Sequence, residues 1–321
     1  MKLKLRPRIF RPSTISFTKE ALRMRDFSFF DWLHGYVYGR WPYLYIGIGT
    51  GELPRNRVLK ALVRKVKKLY TFRKAVNNSN ELRKMPSGKS LDSYTYADNY
   101  HGKVVTLEAA KKLVTVKEEV GLTIPEQVIP YTHARDIILK NPDHIIALEC
   151  PCRASRPNPC QPLDVCLIVG EPFASFVAEH HSRLSRWVTS GEAMEILQAE
   201  HEQGHVHHAF FKDAMLGRFY AICNCCECCC GAMQAQRNGV PMLISSGYIS
   251  QVDTMLCKGC GDCAGSCQFK AIYMNHNKAV VNTDICMGCG VCISRCKQEA
   301  HYLSRDPTKP EPLEIQELIG S

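Results

Sequence analysis

The first ninety residues are short of acid. They hold 5 Asp and Glu against 21 Lys and Arg, a balance of +16, while the rest of the chain holds 26 against 20, a balance of −6. The whole-chain excess of +10 therefore belongs to the N-terminal part. It suggests contact with an anionic surface, whether membrane, nucleic acid or an acidic partner. A long apolar run is also lacking. Spanning a bilayer takes about 20 near-continuous apolar residues, and the stretch Phe27 to Gly49 is broken by Asp31, His34, Arg40 and Pro42. The opening MKLKLRPRIFRPS is basic but has no apolar core and no small-residue cleavage site, so no secretory leader is expected. Gly47, Gly49 and Gly51 make only G-x-G-x-G, with Pro54 close behind, which leaves the dinucleotide fingerprint incomplete. No helix-turn-helix pattern supports a redox-sensing nucleic-acid binder.

Cysteine, by contrast, is abundant, with 18 in 321 residues. In a secreted chain that would suggest disulfides. Here the cysteines cluster with metal-like spacing, which points to a reducing, cytoplasmic interior. Cys257 to Cys296 reads as two copies of C-x2-C-x2-C-x3-C. Cys257, Cys260, Cys263 and Cys267 recur 29 positions later as Cys286, Cys289, Cys292 and Cys296. That is the ligand run of a protein with two [4Fe–4S] clusters, in which the fourth Cys of each run serves the other cluster. Cys257, Cys260, Cys263 and Cys296 are thus expected on one cluster, and Cys286, Cys289, Cys292 and Cys267 on the other. Gly259, Gly261, Gly288 and Gly290 lie between ligands, where the backbone wraps closely and positive φ is expected. Ala271–Met274 and Ala300–Leu303 alternate like short strands. Zinc is the plainer alternative for C-x2-C pairs, but eight Cys in doubled register favour iron–sulfur.

Residues 252–303 resemble the bacterial dicluster ferredoxins. The resemblance implies a ferredoxin-like domain built from βαβ repeats and a role in electron transfer. One departure is that Gln268 and Lys297 stand where that family usually has Pro.

Ten further cysteines lie upstream: Cys150, Cys152, Cys160 and Cys166, then Cys223, Cys225, Cys226, Cys228, Cys229 and Cys230. So many adjacent thiols have no packing rationale, and all ten are candidate metal ligands. Cys150 and Cys152 are expected at a strand end. One structural zinc with spare thiols is the plain reading, and at least one further iron–sulfur cluster drawing on both groups is favoured. The order C-x-C-R (Cys150–Arg153), a Cys166–Leu167 strand, a helix over Glu192–His207, then CNCCECCC, then a dicluster run resembles a set of 4Fe–4S-binding proteins of anaerobes. This resemblance implies metal binding without naming a reaction. Cys229-Cys230-Gly231 also echoes the CCG element of disulfide reductases with unusual clusters, but the downstream C-x-x-C is not in matching order.

His201-Glu202-Gln203-Gly204-His205 matches H-E-x-x-H, the zinc-protease signature. That chemistry needs both His on one helix face. Thr189 and Glu192 make a capping box for a helix over Glu192–Gln203, but Gly204 reads as its stop, and His205–Phe211 reads as a strand. The match is therefore expected to be a decoy. His207 or His208 remains a candidate ligand or proton carrier, with satisfied core histidines as the commoner case.

Elsewhere, residues 1–26 read as an arm and Phe27–Gly49 as an aromatic packing surface. Residues 55–76 read as a basic amphipathic helix and 77–100 as a linker. A peripheral association with anionic membrane through residues 1–76 is the sharper alternative to simple packing. Leu107–Leu113 reads as a helix, Tyr131–Lys140 as a short helix stopped by Asn141-Pro142, and His144–Glu149 as a buried strand. The expected fold class is α+β, and the chain is long enough for two or three domains. These are a basic extension (1–90), a Cys-rich central domain (91–246), a dicluster ferredoxin domain (247–306) and a tail (307–321). The expected function is electron transfer between redox protein partners in an anaerobic system, through two [4Fe–4S] clusters and a further iron–sulfur or zinc site. The alternative is an oxidoreductase whose central cluster reduces a small substrate.

Overall fold

Apolar alternation builds one mixed sheet at the centre of the chain. The computed structural model describes residues 11–24, 27–50, 97, 99–131 and 134–320. The basic helix expected over 55–76 lies outside them, as does most of the linker expected over 77–100. The sheet comprises β1 (Tyr100–Val105), β2 (Val120–Thr123), β3 (Asp136–Leu148), β4 (Cys166–Glu171), β5 (Ser185–Val188), β6 (Val206–Lys212), β7 (Arg218–Cys225) and β8 (Leu243–Ile244). Its order is β2-β3-β4-β7-β6-β1-β8, with β5 also pairing β3. Every residue of β6 is buried, and β4 is nearly so. Strands this buried are covered on both faces.

Helices α1 to α3 precede the sheet, α4 follows β1, α5 follows β3, α6 follows β4 and α7 follows β5. On one face α4 (Leu107–Val114) and α7 (Ser190–Glu202) bury Leu113 and Leu197 against Phe211, Phe219 and Ile222. On the other face α6 (Phe173–His180) packs with α1 (Pro12–Arg23) and α2 (Phe29–Arg40), burying Phe17, Phe173 and Phe176. The expected arm at 1–26 is corrected over its described part. Phe17 is 2% exposed, and burial of such a ring is worth about 2–3 kcal/mol. Glu20 pairs with Arg218 and Lys140. The aromatic stretch also packs inward, as α2 and then α3 (Pro42–Thr50), with Pro42 at the break. No described helix is long and apolar enough to cross a membrane.

A second correction concerns Tyr131–Lys140. From Asp136 the chain is strand, because Ile137 and Leu139 point alternately into the core and pair with β2. Asn141, at φ +46°, sits where the register between β3 and β4 shifts, so Asn-Pro makes an irregularity in a strand and not a helix stop. The α7 reading holds. The Thr189–Glu192 capping box is present, and Gly204 ends the turn at φ +88°.

The C-terminal part repeats a loop, a short helix and a strand. α8 (Gly231–Arg237) leads out of the sheet. β9 (Tyr248–Val252) pairs with β12 (His301–Arg305), and β10 (Ile272–Asn275) pairs with β11 (Lys278–Val281). α9 (Asp262–Ser266) and α10 (Val291–Arg295) each follow a left-handed glycine, Gly261 at +83° and Gly290 at +82°. The expected tail is no free end. Leu313, and Ile315 at the start of α11 (Ile315–Gly320), enter the core under α4. The buried Lys103 ammonium donates to the carbonyls of Val128 and Glu311 at 2.9 and 2.7 Å. The fold is α+β, with helices and mixed sheets.

Candidate metal centres

The C-terminal thiols lie on two tight loops. Gly259 (φ +74°) and Gly288 (φ +65°) let each loop turn between its ligands. A Cβ at either glycine would drive into a carbonyl, that of Asn277 or of Tyr248. The two halves hold their sulfurs alike. Cys267 Sγ accepts from the Ala271 N–H at 3.3 Å, and Cys296 Sγ accepts from the Ala300 N–H at 3.3 Å. Cys257 Sγ accepts from the Ala279 N–H at 3.5 Å, and Cys286 Sγ accepts from the Ser250 N–H at 3.4 Å. The Ser250 hydroxyl lies 3.1 Å from Cys292 Sγ. Sulfur that accepts N–H bonds is stabilised as thiolate, the form a metal needs.

Electrostatic neighbourhoods cross between the runs. Burial raises the Cys263 thiol, and the charges of Cys296 and Cys260 raise it further. Burial holds Cys289 well above the ordinary range and pushes Cys292 up to about 12, with Cys286 and Cys267 adding to both. Buried thiols so placed lose their protons to a metal cation and not to water. Residues 249–297 match the family model of the 4Fe-4S dicluster domain. No curated protein and no solved structure matches the chain. The dicluster domain supports an iron–sulfur electron-transfer role with at least one Fe–S cluster, and the N–H-to-sulfur bonds and left-handed glycines suit that group.

The ten central cysteines separate into two sets. β7 ends at Cys225, and Cys223 and Cys225, two apart, share a face. Cys150 caps α5 (Pro151–Ala154) and Cys152 lies in its first turn, with Pro151 at N1. This corrects the expected strand end, since β3 stops at Leu148 and the prolyl φ starts a helix. Thiol contacts run unbroken from Cys223 to Cys166, Cys150, Cys152, Cys230 and Cys225. The Cys166–Cys223 separation is 3.6 Å. The second set is Cys160, Cys226, Cys228 and Cys229, whose four sulfurs all lie within 4.8 Å of one another. Cys160 and Cys166, six apart in sequence, therefore serve different sets.

A cavity of about 80 Å³ is lined by the six thiols, by Cys226 and Cys229 of the second set, and by Tyr38, Tyr100, Phe210 and Tyr220. One charge stands behind the six. Arg153 is 1% exposed and donates to Glu200, to the Asn224 carbonyl at 3.0 Å and to the Pro162 carbonyl at 2.6 Å. Burial opposes its charge, but the bond and charge of Glu200 and the nearby thiols more than offset this and raise it. The thiols of Cys152 and Cys166, with the Arg153 N–H and charge, hold Cys150 well below the ordinary range against its burial.

The histidines of H-E-x-x-H part company. His205 bonds Glu200 at 2.7 Å, while His201 faces His207 at 3.3 Å. His207 in turn bonds Asn224 Oδ1 at 2.7 Å, as a satisfied core histidine, and His208 lies opposite Cys223 across β6–β7.

Sequence reasoning gave no role to one of the contacts that join the two regions. The Gln268 side chain accepts from the Glu227 N–H at 2.8 Å and donates to the Gly204 carbonyl at 3.0 Å. Gln268 follows ligand candidate Cys267, and Glu227 sits between Cys226 and Cys228. The signal was present in the sequence as the departure from Pro, because only a side chain with both a donor and an acceptor can make this bridge.

Proposed function

We propose that the chain is an iron–sulfur electron carrier, or a redox subunit, of an anaerobic system that passes electrons between protein partners. Cys257, Cys260, Cys263 and Cys296 hold one [4Fe–4S] cluster, and Cys286, Cys289, Cys292 and Cys267 hold a second. A further iron–sulfur centre rests on the six thiols facing the central cavity. Bound clusters supply reversible one-electron storage, with potentials tuned by hydrogen bonds to sulfur and by solvent exposure.

The carrying observation is the Gln268 bridge, which ties the chain beside Cys267 to the central thiol loop. Exposure gives the path a direction. Cys289 is half-buried and packs with Met287 and Phe269 against Val104 and Val206 of the sheet, whereas Cys260 is exposed. The outer site meets a partner, and the inner site faces the central thiols.

Anaerobically purified full-length protein should contain about eight iron from two cubanes, plus an excess that falls when Cys150 and Cys152 become Ala. Cys296→Ala should perturb the cluster held by Cys257. An effect only on the cluster of Cys286, Cys289 and Cys292 would show the crossing to be wrong.

A second reading, an oxidoreductase acting on a small substrate, is favoured by one observation. The cavity at the six thiols is also lined by the phenol-bearing Tyr38, Tyr100 and Tyr220, groups able to carry a proton. Substrate-dependent turnover by the isolated chain would select this reading, and activity only as a conduit between two proteins would select the first.

A further inference from the structure

The central sulfurs are not equally spaced, and the spacing distinguishes one ion from a cluster. Cys160 Sγ lies 3.2 Å from Cys228 Sγ and 3.6 Å from Cys226 Sγ. Cys228 Sγ lies 3.2 Å from Cys226 Sγ and 3.7 Å from Cys229 Sγ. Four thiolates about a single ion at about 2.3 Å stand at the corners of a tetrahedron with an edge of about 3.8 Å. A cubane asks for more room, because each thiolate ends on its own iron at a different corner. Among the described residues this quartet alone is tight enough to close on one ion. No three thiols of the dicluster domain, or of the six at the cavity, gather within the same 4.8 Å.

We infer that Cys160, Cys226, Cys228 and Cys229 hold a single tetrahedral metal ion, zinc by its preference for a closed set of four thiolates, separate from every iron–sulfur centre of the chain. Two loops far apart in sequence are joined by it, since Cys160 comes from the Pro-rich loop and the other three from the turn after β7. The Arg156 guanidinium already braces this junction, donating to the Cys229 carbonyl at 3.2 and 3.0 Å. The ion explains how CNCCECCC can serve two sites. Cys226, Cys228 and Cys229 gather with Cys160 about the ion, with Cys226 and Cys229 at the wall of the cavity, and Cys223, Cys225 and Cys230 join the set of Cys150, Cys152 and Cys166. It also fixes Glu227, whose N–H donates to the Gln268 side chain. The ion is structural, so this inference does not depend on the relay reading.

The test uses full-length protein purified anaerobically, with zinc, iron and acid-labile sulfide counted per chain. Wild type should hold one zinc. Cys160→Ser should lose it while iron and sulfide stay unchanged, and Cys152→Ser should keep it. Cobalt added in place of zinc during expression should give the strong thiolate-to-cobalt absorption of a tetrahedral four-sulfur site, and Cys160→Ser should lose that band. Retained dicluster absorption in each variant shows that the chain has folded. Should Cys160→Ser misfold, the cobalt spectrum of wild type still decides the ligand set. Loss of iron and sulfide together in Cys160→Ser would assign the quartet to a cluster and overturn the inference. Unchanged zinc in that variant, or no zinc and no cobalt band in wild type, would overturn it equally.

Discussion

Replacing Gln268 by Ala should loosen the seam between the dicluster domain and the central thiols by a calculable amount. The side chain makes two neutral hydrogen bonds across the seam, one to the Glu227 N–H and one to the Gly204 carbonyl. Each is worth about 1 kcal/mol net, so the variant forfeits about 2 kcal/mol. The neighbouring Lys270–Glu227 pair, with Lys270 63% exposed, offsets little of this. Native-state hydrogen exchange reads local opening directly. At 1.36 kcal/mol per tenfold, the Glu227 amide should exchange about 30-fold faster in Gln268→Ala. Gln268→Glu keeps the acceptor for Glu227 and loses the donor to Gly204, so about half the free energy, or roughly fivefold, should remain lost. Both variants should keep the dicluster absorption in full, while reduction of the central centre by dithionite slows. Equal exchange of the Glu227 amide in wild type and Gln268→Ala would refute the assignment of this contact as part of the joint.

Two further outcomes follow from buried charge. Burial first, and then the charge of His201, hold His207 to about 3, and burial holds His208 to about 3, against the ordinary 6.5. The folded chain therefore binds fewer protons than the unfolded one between these values, and the stability present above pH 6.5 is lost as pH falls toward 3. Each ring costs about 1.4 kcal/mol at one unit below 6.5, so urea unfolding in anaerobic buffer should show about 3 kcal/mol less stability at pH 5.5 than at pH 7.5. Equal stability at the two would count against burial of neutral rings. Glu200→Ala strands the fully buried Arg153 and should cost about 3–5 kcal/mol. It should also lower central iron while leaving the dicluster absorption in place, and a loss confined to the dicluster would contradict the placement of Arg153.

The loops that carry the eight C-terminal cysteines were legible because their geometry is local. Spacing, glycines and alternation are all set within a dozen residues, and the strands at Ala271 and Ala300 began one position later than read, at Ile272 and His301. The partition of the ten central thiols was not legible. Cys160 and Cys166 are six apart yet join different sets, because Cys160 lies in the Pro-rich loop and only Cys166 is in β4. Cys225 and Cys226 are adjacent and diverge where β7 ends. Such choices are made by partners distant in sequence. The error at Tyr131–Lys140 has the same cause, since an apolar Ile-Ile-Leu run fits either period until β2 supplies its pairing. The part of the N-terminal region taken as an arm is ordered by Phe17 finding Phe173 and Phe176, at ring distances of 6.4 and 5.9 Å, and nothing near Phe17 in sequence announces that.

The repeat itself shows how one fold is given a direction. Gln268 and Lys297 occupy equivalent places, 29 residues apart, each just after the fourth Cys of its run. By sequence they are one feature written twice. In the structure Gln268 is half-buried and spans the seam, while Lys297 is exposed. The inner and outer sites are thus distinguished by what surrounds matching loops and not by their ligands. Phe269, Met287 and Val291 close the inner one against the sheet, and the outer one leaves Cys260 and Met255 in solvent, with Met255 84% exposed. A cluster site walled by apolar side chains and one open to water differ in the free energy of holding an added negative charge, since charge is less stable in low dielectric. Two sites with the same ligands therefore need not share a potential. If both sites hold clusters as proposed, the packing of the central domain against the inner one should set the difference, and Gln268→Ala should shift the inner site's potential more than the outer site's.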